Sequence, residues 1–188
     1  MRPKVFATQR IPSPGFEMIS ESCDVTVYED EAAPDRQELL TSVREIEGLV
    51  CIPGDRIDAE LLDAAPLLKV ISTCSVGYEH IDVAEATKRG IYVGYTPEVL
   101  TAATADFTFG LLVAAARRFA EGDRYVRAGK WNGRFDFMLM LGKPVWEATL
   151  GIIGLGRIGR AVAARAGGFR MKVLYHDTRR QPADEERR

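Results

Sequence analysis

The sequence predicts an α/β protein whose core is a parallel, doubly wound sheet. Two observations predict it. Between residues 4 and 94, five short apolar runs alternate with segments of helical spacing, the order produced when helices cover a parallel sheet. Between residues 149 and 177, an apolar run, a glycine-rich turn, a helical segment and a further apolar run follow one another, which is a second βαβ pattern. With 188 residues and 46% hydrophobic content, the chain can bury one large core or two small ones.

Lys4 to Ala7 reads as the first strand. Pro12-Ser-Pro-Gly15 marks a turn into a short helix at Phe16 to Ser20, and Asp24 to Tyr28 is the second strand. Asp35 is placed to cap a helix in which Leu39, Leu40, Val43 and Ile46 recur at helical spacing. Leu49 to Ile52 is the third strand, ended by Pro53-Gly54. Asp58 caps a helix with Leu61 and Leu62 inward and Pro66 beyond its end. Leu68 to Ser72 is the fourth strand, Val83 to Arg89 a helix closed by Gly90, and Ile91 to Gly94 the fifth strand.

The rhythm then changes. Thr101 to Phe119 reads as one long helix rich in small residues, with Arg117 and Arg118 at its negative end. Gly122 to Gly129 is expected to form a shorter helix. Trp131 to Val145 reads as an irregular arm, and the apolar residues Trp131, Phe135, Phe137, Met138, Leu139, Met140 and Trp146 there need a surface to cover them. That surface is either a second subunit or the chain itself. The last ten residues, Arg179 to Arg188, are charged and lack a hydrophobic anchor, as in a solvated helix or a disordered end.

The second βαβ pattern carries chemistry. Leu150 to Ile153 suits a strand buried on both faces. Gly154 permits a tight turn, Gly156 lets a pyrophosphate approach the backbone, and Gly159 lets a helix lie close to the strand. That helix starts near Arg157, so its free N–H groups and dipole face the turn. Ala161, Val162, Ala164 and Ala166 are expected on its core side, and Met171 to Tyr175 forms the next strand. Asp177 follows about 20 residues after the glycines, where a carboxylate can accept both hydroxyls of a ribose. A glycine turn in this full context is the mark of a dinucleotide site. Asp177 repels a 2′-phosphate and favours NAD. Arg179 and Arg180 come next and can pair with that phosphate, so NADP stays open.

The remaining totals exclude classes of function. A formal net charge of −2 gives no footing for nucleic acid or an anionic membrane. Cys23, Cys51 and Cys74 are odd in number and widely spaced, each reading as a small buried residue of a reducing, cytoplasmic compartment. Met1-Arg-Pro-Lys runs into a strand rather than a leader, and Phe107 to Ala116 is too short to span a bilayer. No metal-ligand cluster or Ser-His-Asp set is visible.

Ile71-Ser-Thr-Cys-Ser-Val-Gly-Tyr-Glu-His-Ile-Asp82 and Arg89-Gly-Ile-Tyr-Val-Gly-Tyr-Thr-Pro-Glu-Val-Leu-Thr-Ala-Ala-Thr-Ala-Asp106, together with Gly151 to Asp177, resemble the D-isomer-specific 2-hydroxyacid dehydrogenases. The resemblance covers nearly the whole chain and is strongest to the glyoxylate/hydroxypyruvate reductase branch. It implies a flavodoxin-like substrate domain at 1–98, followed at 99–188 by the first part of a Rossmann nucleotide domain. It also implies a homodimer through the arm at 122–146. Val76 and Gly77 would offer backbone N–H groups to the carboxylate of a small 2-oxo or 2-hydroxy acid, sensible chemistry for a loop after a parallel strand. Thr104 matches a cofactor-touching position. Gly154, Leu155, Gly156, Arg157, Ile158, Gly159, Asp177, Thr178 and Arg179 would hold the dinucleotide.

The chain also departs from the family pattern. Glu79 stands where Asp is usual, Glu147-Ala148 where Gly-Lys is common, and Tyr95 where Asn is common, either lining a cleft or packing. The family's chemistry uses an Arg, an acidic residue and a His from the second half of the nucleotide domain, beyond residue 188. No catalytic residue is therefore assigned here, and His80 and His176 read as structural and surface residues. The expectation is the front half of a 2-oxo acid reductase. The alternatives are a non-catalytic NAD-binding or interaction module and a phosphonate dehydrogenase-like enzyme, the latter weakened by Val76 where Lys is expected. An open strand edge after residue 99 should leave that part only marginally stable.

Overall fold

Strands β1 (Lys4–Ala7), β2 (Asp24–Val27), β3 (Gly48–Cys51), β4 (Val70–Thr73) and β5 (Tyr92–Gly94) form one parallel sheet, ordered β2-β1-β3-β4-β5, in the computed structural model. It describes residues 1–30, 32–183 and 186. Register is set by pairs such as Phe6 with Leu49 and Leu49 with Ile71. Helices α1 (Gly15–Ser22), α2 (Arg36–Ser42), α3 (Ala59–Ala64) and α4 (Val83–Lys88) make the connections, as a parallel α/β sheet requires.

Local chemistry explains where these helices begin. Asp35 and Glu38 close a capping box on α2, each side chain accepting the other's backbone N–H at 2.8 Å. The Asp58 carboxylate accepts the Leu61 N–H at 3.2 Å and that of Asp82 accepts the Glu85 N–H at 2.9 Å. One sheet face buries Phe6, Leu49, Cys51 and Ile71 beneath Leu39, Val43, Leu61, Leu62 and Ala86. The other packs Val5, Ala7 and Val50 against Ile19 and Cys23. Full burial of each large aliphatic side chain contributes about 1.5–3 kcal/mol. Residues Met1–Val99 make one compact unit and Leu100–Arg188 another.

In the second unit, α5 (Thr101–Ala116) and α6 (Phe119–Arg127) precede β6 (Thr149–Ile153), α7 (Arg157–Ala166), a short 3-10 turn at Gly167–Phe169 and β7 (Lys172–His176). β6 and β7 run parallel, Leu150 opposite Val173 and Ile152 opposite Tyr175. Ala105 and Phe109 of α5 pack on Val162 and Ala166 of α7, and the Phe109 ring lies 5.1 Å from that of Phe169. The Arg165 guanidinium donates to Asp106 Oδ1 at 2.6 Å and to the Ala102 carbonyl at 3.2 Å, tying α7 to α5.

Several expectations change. The segment 101–119 is not one helix: Arg118 turns left-handed at φ 57° and α6 starts at Phe119. The break is supported from outside, because the Lys143 N–H takes the Ala116 carbonyl at 2.8 Å and Gly142 lies against that same carbonyl. α2 stops at Ser42, yet Val43 and Ile46 stay buried because the turn that follows keeps their apolar phase. β6 is not buried on both faces. Leu150 and Ile152 face α7, whereas Ile153 is 91% exposed. Ala164 is exposed, lying about half a turn from Val162 and Ala166 on α7.

Cys74 is exposed rather than buried, since it follows Thr73 across the pleat. Cys51 is buried, and that burial pushes its thiol up to about 12. No helix or strand occupies 128–148. Trp131, Phe135, Phe137 and Met138 are exposed there, and the Trp146 ring lies under the Arg170 guanidinium at 5.3 Å. The charged tail falls partly outside the described residues; within them, Arg180 pairs with Glu186 at 2.9 Å.

Candidate functional site

The glycine turn between β6 and α7 is the first candidate. Gly154 sits at φ 88°, a conformation that favours glycine, and its N–H donates to the His176 carbonyl at 2.7 Å. This bond carries the turn onto the end of β7. Gly159 faces the turn so closely that a Cβ there would run into the Gly154 carbonyl. At Gly156 the space a Cβ would take is open. Gly156 precedes the first turn of α7, which has no acidic residue. An anion approaching there meets the N–H groups of the first helical turn and the positive end of a ten-residue helix. Arg157 is exposed, and Ile158 is half-buried against the α5–α7 core.

Asp177 closes the opposite side. Its Oδ2 accepts the Leu155 N–H at 2.7 Å, and Leu155 itself is buried. Among the described residues its Oδ1 has longer partners, the Thr178 hydroxyl at 3.2 Å and the Arg179 N–H at 3.4 Å. The N–H groups of Leu155 and then Arg179 hold the Asp177 carboxyl below its ordinary range, so it stays anionic. One oxygen fastens the turn while the other, loosely held, remains able to accept from a ligand hydroxyl. Arg180 is engaged by Glu186 through two contacts, at 2.9 and 3.0 Å. Thr104 is half-buried on α5, its backbone bonded within the helix to Leu100 and Thr108. Among the described residues no hydrogen bond joins Thr104 to the turn.

The second candidate lies at the carboxyl ends of β1, β3 and β4. Open α/β sheets bind ligands at this edge, at the point where strand order reverses. Val76 and Gly77 are half-buried in the loop after β4, and among the described residues neither N–H has an acceptor. The loop is braced by Ser75, whose hydroxyl donates to the Gly77 carbonyl at 2.6 Å, and by the Thr96 N–H on the Ser75 carbonyl at 2.9 Å. The Glu79 carboxylate folds over Gly77: a Cβ built there would come within 2.5 Å of Glu79 Oε2. Tyr95 packs edge-on against Tyr78, ring centroids 5.1 Å apart.

Sequence reading assigned no role to Thr8, Asp55, Thr73 and Ser75, all buried. Asp55 Oδ2 accepts the Thr8 hydroxyl at 2.5 Å and the Ile52 N–H at 2.8 Å, filling the space where strand order reverses. Thr73 Oγ1 lies 2.7 Å from Ser75 Oγ and 3.0 Å from His80 Nε2. Their only signal was polarity at the ends of apolar strands. Among the described residues no cluster of His, Cys, Asp and Glu could hold a metal ion, and no helix is long and apolar enough to cross a membrane.

Comparison with known proteins supplies context for both sites. A family model of the D-isomer specific 2-hydroxyacid dehydrogenase catalytic domain matches residues 5–179. A glyoxylate reductase of Korarchaeum cryptofilum is 51% identical over 187 residues, which is 99% of this chain and 56% of that protein. The chain thus spans about half the length of the curated relatives it matches. A crystal structure of a Thermus thermophilus protein superposes with a TM-score of 0.89 at 44% identity, covering 95% of this chain and 57% of that one. D-lactate dehydrogenase of Aquifex aeolicus, solved with NAD and lactic acid, superposes with a TM-score of 0.80 at 26% identity, over 98% of this chain and 54% of that one.

Proposed function

The chain belongs to the D-isomer specific 2-hydroxyacid dehydrogenase family, and from that premise we propose that it serves NAD(P)-dependent reduction of a 2-oxo acid such as glyoxylate or hydroxypyruvate. Residues 1–98 act as the substrate domain and 99–188 as the first part of a Rossmann nucleotide domain. One observation carries the reading: the Asp177 carboxylate joins the glycine turn through Leu155 at 2.7 Å and keeps a second oxygen loosely held.

The residues fit a dinucleotide. The pyrophosphate would lie over Gly156, where the Cβ space is open, against the N–H groups of Arg157 and Ile158. Asp177 Oδ1, with Thr178 beside it, would take the adenosine ribose hydroxyls. The anionic Asp177 disfavours a 2′-phosphate, and Arg180 is already paired with Glu186. Arg179, two residues after Asp177, would be a cation beside the ribose, so NAD is the preferred cofactor and NADP the secondary one. When bound, the nicotinamide supplies hydride to the substrate's carbonyl carbon. Val76 and Gly77 hold the substrate carboxylate on their N–H groups, and no residue of this chain is assigned the proton transfer. The exposed aromatic arm within 122–146 is the surface for a second subunit.

The test is NADH oxidation by the chain with glyoxylate present, run beside NADH binding. Turnover supports the reductase reading for the chain alone. Binding without turnover supports a role as a nucleotide-binding module. Neither binding nor turnover by folded protein contradicts both.

A further inference from the structure

A single carbonyl oxygen sets the direction of every hydrogen beneath the Val76–Gly77 loop. Ser75 Oγ lies 2.6 Å from the Gly77 carbonyl. A carbonyl only accepts, so the one Ser75 hydroxyl hydrogen points there. Thr73 Oγ1, 2.7 Å from Ser75 Oγ, must therefore be the donor of that pair. Thr73 also has one hydroxyl hydrogen, now committed to Ser75. Its 3.0 Å contact with His80 Nε2 can then run only from Nε2–H to Thr73 Oγ1. Cys51 Sγ, 4.0 Å from the same nitrogen, is at best a weak second acceptor.

From this closed sequence we infer that His80 is a positioning residue, held as the Nε2–H tautomer, that orients Thr73 and Ser75 and so fixes the loop bearing the Val76 and Gly77 amides. Thr73 and Ser75 are both buried, where water does not readily replace a lost partner. The His80 main chain is itself fixed, its carbonyl accepting the Ile57 N–H at 2.9 Å. The bonds run in one direction from the ring, through two hydroxyls, to a backbone carbonyl. Removing the donor at His80 leaves Thr73 free to turn its hydrogen away, and Ser75 then keeps its bond to the Gly77 carbonyl but loses the one from Thr73. The consequence for ligands rests on the reading of this loop as the holder of the substrate carboxylate; the tautomer does not.

The experiment is long-range 1H–15N NMR of the full chain at a pH where the ring is neutral, followed by titration with sodium glyoxylate. A hydrogen on Nε2 of His80 is the expected result, and a hydrogen on Nδ1 alone overturns the inference. In His80→Leu the Val76 and Gly77 amides should shift in the free protein, and glyoxylate should bind roughly tenfold more weakly, the scale of one lost hydrogen bond. His80→Gln places an amide donor near the Nε2 position and should recover binding to within about threefold. Equal weakening in both variants, with both folded, points to mere packing and contradicts a positioning role. If wild-type amides ignore glyoxylate, the substrate reading of the loop fails, while the tautomer and the free-protein shifts still decide the role of His80.

Discussion

The Asp177 carboxylate accepts the Leu155 N–H at 2.7 Å, joining the residue just after β7 to the middle of the turn between β6 and α7. The two residues are 22 apart in sequence. Their bond turns a strand end and a glycine turn into one rigid corner. It also leaves Asp177 Oδ1 as the acceptor that a ribose would meet.

This relationship gives a pH dependence. The carboxyl of Asp177 is held below its usual range, first by Leu155 N–H. A depressed folded value means stability that is present above the unfolded value of about 3.9 and lost as pH falls through the folded one. Protection of the Leu155 amide, its exchange compared with the intrinsic rate at the same pH, should be high at neutral pH and fall as the pH drops below about 4. Asp177→Asn should remove that pH step. A step that persists in the variant contradicts the assignment.

Gly156 and Gly159 separate ligand space from packing. Gly159→Ala forces a methyl into the Gly154 carbonyl and should destabilise the second unit by about 1–3 kcal/mol, the cost of overpacking. In Gly156→Val the added Cβ meets nothing within 4 Å in the free chain. The variant should change stability by less than about 1 kcal/mol yet weaken NADH binding at least tenfold, because its methyls stand where the pyrophosphate approaches the backbone. Denaturant titration and calorimetry on both variants check the pair. Equal loss of stability would show that the turn is only a packing device.

Glu147 adopts φ 57°. A left-handed non-glycine residue costs roughly 1–2 kcal/mol. The exposed ion pair with Arg170 at 3.0 Å returns at most about 1 kcal/mol. Glu147→Gly should therefore leave the melting temperature unchanged or raised, despite losing a salt bridge. A fall of several degrees would show that the pair outweighs the strain.

The two units differ in core. Among the described residues the main cluster of the first unit buries fifteen hydrophobic residues, and that of the second buries four: Ala105, Phe109, Val162 and Ala166. Two strands alone make a weak sheet. Hydrogen exchange should show β6 and β7 opening before β3 and β4, and protease should cut first after residue 99. Equal protection across both units would contradict this.

Much of the fold was legible because local chemistry and global packing agree. Asp35 and Asp58 cap the helices that follow them, and the apolar runs at 4–7 and 49–52 become the strands Lys4–Ala7 and Gly48–Cys51. The glycine turn was legible because each glycine has a separate steric reason. The break at Arg118 was not, since nothing local marks a left-handed arginine; Gly142 and Lys143, more than twenty residues later, help set it. The pairing of Thr8 with Asp55 and the path from His80 to Gly77 link residues that only the folded sheet brings together. The exposed face of β6 was misread because an apolar run says nothing about how many layers cover it.

Calorimetric titration of NADH into the folded chain, repeated with Asp177→Ala, tests the central claim most directly. Saturable binding to the wild type, weakened at least tenfold in the variant with its fold intact, is the predicted result. Folded wild-type protein that releases no heat with NADH or NADPH, or a variant that binds as tightly as the wild type, would contradict it.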